Sequence, residues 1–174
     1  MRRIAVCLFV CLLLSACAAQ GSVSGVLRAG IRVQDGKLAP ADYTWGMEEA
    51  AVRRKMGKLA QETQDALASE PQKLQGAQCV TVCRFVSPEE RTLAAVEWVF
   101  ETASDAERTA VYDEAASALR GFLGEPGSAG DGNLTWELSG ADGRVSYARL
   151  REVPGAGTVS VEISMPVTLP DSLG

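Results

Sequence analysis

The sequence predicts an α+β domain: two helices packed on one face of a twisted, mainly antiparallel sheet, in the order α-β-β-α-β-β-β. Three observations predict it. Two stretches space their apolar residues by three and four, as a helix with one buried stripe requires. Five short stretches are rich in β-branched and aromatic residues, and the last alternates apolar and polar residues strictly. Turn signals built on Gly, Pro, Asn and Asp separate them, so strands adjacent in sequence can pair as hairpins, with the helices on one side.

Taken in order, residues 18–25 (AAQGSVSG) are small and polar without periodicity and read as a tether. Val26–Val33 reads as a short strand. From Met47 to Leu67, the positions Val52, Met56, Leu59 and Leu67 step by three and four with Thr63 in the gap, which predicts an amphipathic helix with a break near Gly57. Pro71 and Gly76 close it. Residues 78–86 (QCVTVCRFV) and 92–101 (TLAAVEWVFE) are predicted to pair as a hairpin across Ser-Pro-Glu-Glu, with Ala94, Val96, Trp98 and Phe100 on the buried face. A second helix begins near Ser104, whose hydroxyl caps it, and Asp105 and Glu107 sit at the positive end of its dipole. Its stripe is Val111, Ala115, Leu119 and Phe122, and Gly124 and Pro126 end it. Three strands come after it: LTWELS, RVSYARLREV and TVSVEISM, with Leu134, Trp136 and Leu138 inward on the first. On the third, Val159, Val161, Ile163 and Met165 alternate with Ser160, Glu162 and Ser164, the pattern of a strand buried on one face.

The amino terminus carries a different signal. Arg2 and Arg3 precede an apolar run from Ile4 to Leu14, and Ser15-Ala16 supplies small residues of the kind a signal peptidase accepts. The run falls short of the roughly 20 residues a membrane-spanning helix needs. Leu14-Ser15-Ala16-Cys17 resembles the lipobox of bacterial lipoproteins. That resemblance implies cleavage before Cys17, diacylglycerol on its thioether and an acyl chain on its amine, and several chains anchor firmly where one holds only marginally. The domain plan is then a signal peptide over 1–16, a lipidated tether over 17–25 and a single periplasmic domain over 26–174. Ala18, where enterobacterial lipoproteins retained at the inner membrane have Asp, implies the outer membrane.

Composition narrows the function. Without residues 1–16 the 174-residue chain keeps 158, enough for one domain with a core, and Lys plus Arg falls from 17 to 15 against 22 acids. An acidic body lacks the basic footprint that nucleic acid requires. The chain has no histidine, which removes the usual general base, the commonest zinc ligand and every Ser-His or Cys-His pair. No catalytic residue, metal ligand or cofactor is therefore assigned beyond the lipid on Cys17.

Four candidate features remain. Cys79 and Cys83 are the cysteines left for a disulfide after lipidation; in a regular strand they lie roughly 13 Å apart, beyond the ~7 Å a bridge spans, so either the segment kinks and bridges or both thiols lie under the sheet. Arg53, Arg54, Lys55 and Lys58 form a basic run, read either as the solvated face of a helix paired with Glu48, Glu49 and Glu62 or, through Arg54 and Lys58, as a partner contact. Tyr43 and Trp45 precede the first helix and either face a partner or pack as a staple against that helix. The acid pairs Glu89-Glu90 and Asp105-Glu107, with the tryptophans, raise cell-wall binding or hydrolysis as an alternative, although both pairs sit at a turn and a helix start where acids are expected.

The element order, with Gly46-Met47, Val52, Gly57 and Gly124-Glu125-Pro126, also resembles small envelope proteins of the β-lactamase-inhibitor-like kind, including the small lipoprotein of the outer-membrane barrel assembly machinery. It assigns no binding residue. Together these readings give the expectation of a non-catalytic module that binds a protein partner in the envelope.

Overall fold

The computed structural model describes residues 21–86, 89–153 and 155–168. Cys17, residues 1–20 and parts of two predicted turns, Ser87-Pro88 and Pro154, lie outside them. The domain is α+β with a mainly antiparallel sheet, and it contains a third helix and several short strands beyond the expected order.

The first difference is at the start. Residues 23–30 form helix α1 (Val23–Gly30) rather than a tether and a strand, because Ser22 caps it by accepting from the Gly25 amide and Val23 and Leu27 bury one turn apart. The folded body thus begins before residue 26. Strands β1 (Ile31–Gln34) and β2 (Lys37–Pro40) then form a hairpin across Asp35-Gly36, both at positive φ (50° and 74°), the two-residue turn that suits strand twist.

Helix α2 (Glu49–Met56) buries Val52 and stops at Gly57, whose φ of 73° no helix continues. The predicted helix to Leu67 is replaced by β3 (Leu59–Glu62) and β4 (Ala66–Ser69), an antiparallel pair closed by the Thr63 hydroxyl donating to Asp65 at 2.9 Å. Leu67 is buried opposite Cys83 on the neighbouring strand, so tertiary pairing overrides the helical spacing. Next come β5 (Gln72–Leu74), β6 (Ala77–Val86) and β7 (Thr92–Glu101).

The later half keeps closely to the sequence pattern. Helix α3 (Asp105–Leu123) has Ser104 as its cap, accepting from the Glu107 amide, and buries Val111, Ala115 and Leu119. Strands β8 (Ser128–Gly130), β9 (Asn133–Ser139), β10 (Arg144–Val153), β11 (Thr158–Ser164) and β12 (Val167–Thr168) complete the sheet, ordered β3-β4-β6-β7-β11-β10-β9-β8 with β5 on β6 and β12 on β10.

One sheet face carries Cys79, Cys83, Val96, Trp98, Phe100, Trp136, Leu150 and Val161 and meets the buried stripes of α1 and α3 in a single core. The opposite face carries Arg84, Glu97, Arg149, Arg151 and Glu162. No helix among the described residues is long and apolar enough to cross a membrane.

Candidate functional site

The candidate site is a groove where the sheet divides. Strand β11 runs beside β7 until the Met165 amide donates to Ala94 O at 2.7 Å. Pro166 comes next, and past Met165 the ladder to β7 does not continue. Beyond it β12 stays with β10, pairing Val167 with Val145 and Thr168 with Arg144. The first residues of β7 are met instead by the segment before α2: the Gly46 amide donates to Leu93 O at 3.0 Å, and the Leu93 amide donates to Met47 O at 2.9 Å. Glu48 and Thr92 extend that pairing as an antiparallel bridge.

Between the two diverging edges lies a groove of about 630 Å³. Trp45 and Gly46 line one side, Met165, Pro166 and Val167 the other, with Leu38 and Ala39 of β2 also in its wall. Leu38 is fixed at both polar groups: its amide donates to the buried Ser146 hydroxyl at 2.8 Å, and its carbonyl accepts the Trp45 indole N–H at 2.8 Å. The Trp45 N–H is thereby spent inside the protein, so the half-exposed ring offers apolar surface rather than a donor. Val167 is 45% exposed, one of the few large apolar side chains left in water.

Charge is sparse here. Lys37 is held by Asp142 at 2.6 Å, Asp35 is the one carboxylate in the groove lining, and Arg144 makes no ion pair among the described residues. A glycosidase needs two carboxylates flanking the scissile bond, roughly 5 to 9.5 Å apart. An extended peptide uses what the groove has: apolar walls for its side chains beside a short strand.

The other candidates from sequence fall elsewhere. The hydroxyl of half-buried Tyr43 is hydrogen-bonded to the Cys83 thiol, and burial, with Cys83 and Asp42 nearby, raises its pKa well above the ordinary tyrosine range. Tyr43 packs against the core beside Cys83 of β6. Cys79 and Cys83 are free and buried; β6 is regular between them, so both thiols point into the core too far apart to bridge, and the disulfide does not form. Burial pushes both thiols up to about 12, that of Cys83 despite its hydrogen bond from Tyr43.

Arg54 and Lys58 are exposed near the end of α2 and line no part of the groove. Neighbouring Arg53 pairs with Glu49 one turn away at 2.9 Å and with Glu62 at 2.5 Å, as a solvated helix face would. Of the sequence candidates only Trp45 reaches the groove. Leu38, Arg144, Met165 and Val167 were missed; the one local signal was the Asp35-Gly36 turn, which makes the β1–β2 hairpin.

Comparison with protein families, curated proteins and solved structures finds no match to this chain.

Proposed function

We propose that this chain is a lipid-anchored envelope lipoprotein, held at the outer membrane through acyl chains on Cys17 with its domain in the periplasm, and that it works without catalysis. It binds a protein partner by taking an extended segment of that partner into the groove between β12 and Trp45-Gly46. One observation carries the reading: β12 and the Trp45-Gly46 segment diverge there and leave apolar side chains lining an open channel beside a short strand. The lipobox and the lack of histidine supply the anchor and the absence of common catalytic chemistry.

The test is in-cell photo-crosslinking of the full-length chain from position 167 in the groove and, as a control, from the exposed Arg120 on α3. A single stoichiometric envelope protein captured from 167 and not from 120 is the expected result. Capture of nothing, or the same set from both positions, overturns the groove. The alternative of cell-wall binding rests on Trp45 and Asp35 sharing that channel, and recovery of wall fragments without protein would favour it.

A further inference from the structure

Gly21 is joined to the sheet at one end of its strands. Its carbonyl accepts the Gln75 amide at 3.2 Å, it bridges Leu74 in parallel, and Ser22 caps α1 directly after it. Leu74 pairs with Ala77 at the start of β6, Gln78 with Glu101 at the end of β7, and Glu101 with Thr158 at the start of β11. The groove lies at the opposite end of the same strands, where Met165 donates to Ala94 O and Gly46 to Leu93 O. The stretch of β7 from Glu101 back to Ala94 spans roughly 23 Å at ~3.3 Å per residue.

The fold leaves little chain between the Gly21 end and Cys17, the residue proposed to carry the acyl chains. Cys17 precedes Gly21 by four positions, and four residues reach at most about 14 Å whatever their path. An anchor there cannot reach the groove end of the sheet. The surface beside Gly21 also suits lipid headgroups. The two segments that meet there, 18–27 and 71–78, contain one charged residue between them, Lys73, in a chain with 22 acids. Gln72, Lys73, Gln75 and Gln78 are exposed. Two nearby carboxylates are turned to helix starts: Glu114 accepts the Ser24 amide at 2.9 Å and Glu107 the Ala103 amide at 3.0 Å. Glu70 and Glu101 stay exposed at the margin. An acidic body is repelled least by an anionic surface where its carboxylates are fewest.

We infer that the mature domain meets the bilayer by its β5–β6 end, with the Gln75-Gly76 turn against the lipid headgroups, and holds the groove about 20 Å or more away on the aqueous side. The orientation rests on the lipid anchor proposed above. It specifies the partner further: the segment taken by the groove belongs to a water-exposed part of that protein, not to a stretch lying at the membrane surface.

The test purifies the full chain from cell membranes in detergent and reconstitutes it in vesicles of phosphatidylethanolamine and phosphatidylglycerol that carry a headgroup-spin-labelled lipid. A bimane fluorophore is attached to Gln75→Cys or to Val167→Cys; Cys79 and Cys83 are buried and stay unlabelled. The spin label is expected to quench the fluorophore at 75 about threefold more than that at 167, because about 20 Å of sheet separates the two from each other. A Gly-Ser insertion of about 20 residues after Gln20, which lengthens the connection to the lipid, should remove most of that difference. Equal quenching of the two labels, or stronger quenching at 167, overturns the orientation while the anchor stands. Cys17→Ser, which has no thiol to acylate, should be lost from the vesicles; loss of the unsubstituted chain as well overturns the anchor and the orientation with it.

Discussion

The same strands present two unlike faces, and β7 shows the contrast residue by residue. Val96, Trp98 and Phe100 point to the helices and are sealed by apolar packing. Between them Glu97 points the other way and is nevertheless only 6% exposed. Its cover is arginine: Arg84 lies 2.7 Å and Arg151 3.6 Å from its carboxylate. Glu97 and Glu162 are direct partners across β7 and β11, a like-charge pairing that destabilises a sheet. Arg151 offsets it by reaching both carboxylates, Glu162 at 3.2 Å, and Arg149 adds a longer contact at 3.7 Å. Two residues of one strand can thus be equally buried for opposite reasons. The helix-covered face is held by volume, the open face by a ladder of charges whose members depend on one another.

Volume and charge should fail differently. The largest effect is expected from Phe100→Ala on the covered face, about 3 to 5 kcal/mol by urea denaturation, because the cavity cannot collapse under the helices. Val99→Ala, its half-exposed neighbour on the open face, should cost far less; equal costs would mean that both faces are packed alike. Glu97→Ala should come next at about 1 to 3 kcal/mol, since it strands Arg84 while Arg151 keeps Glu162, and removing Arg84 as well should restore part of the loss. Additive losses in that double variant would break the idea of a coupled ladder.

A third measurement uses pH on the covered face. Below the ordinary thiol value of 9.0, Cys79 and Cys83 are protonated in both folded and unfolded chains, so pH has no leverage through them. Above it only the unfolded chain ionises until about 12, so stability falls as pH rises through this window. The loss should be on the order of 1 kcal/mol per thiol by about pH 10, and Cys79→Ala with Cys83→Ala should flatten that slope. An unchanged slope would show that the thiols meet water. The smallest effect belongs to Arg149→Gln at the exposed end of the ladder, below about 1 kcal/mol and weaker still in high salt.

The elements that were legible in the sequence share a property: one signal settles each. Ser104 caps α3, the strict alternation of Val159, Val161 and Ile163 faces β11 inward, and β6 and β7 appear nearly at their expected bounds. Where signals competed, the sequence misled. Leu59, Thr63 and Leu67 keep helical spacing with Val52, but Gly57 ends the helix and strand pairing claims the residues beyond it. Val26 suggested a strand, but the Ser22 cap and the Val23–Leu27 pair make a helix. Of the groove, only Trp45 stood out beforehand, because the other walls come from residues unremarkable alone and distant in sequence, Leu38 and Val167 among them.

The sequence by itself determined the α+β class, the apolar face of each long strand, the second long helix with its cap, and the absence of histidine chemistry. These depend on periodicity and composition, which are local. Tertiary structure alone decided that Cys79 and Cys83 stay apart, that Glu97 is buried by arginines and that the sheet divides after Met165. Each of these depends on which strand lies beside which, and register is set by the packing of the whole sheet rather than by any one stretch of chain.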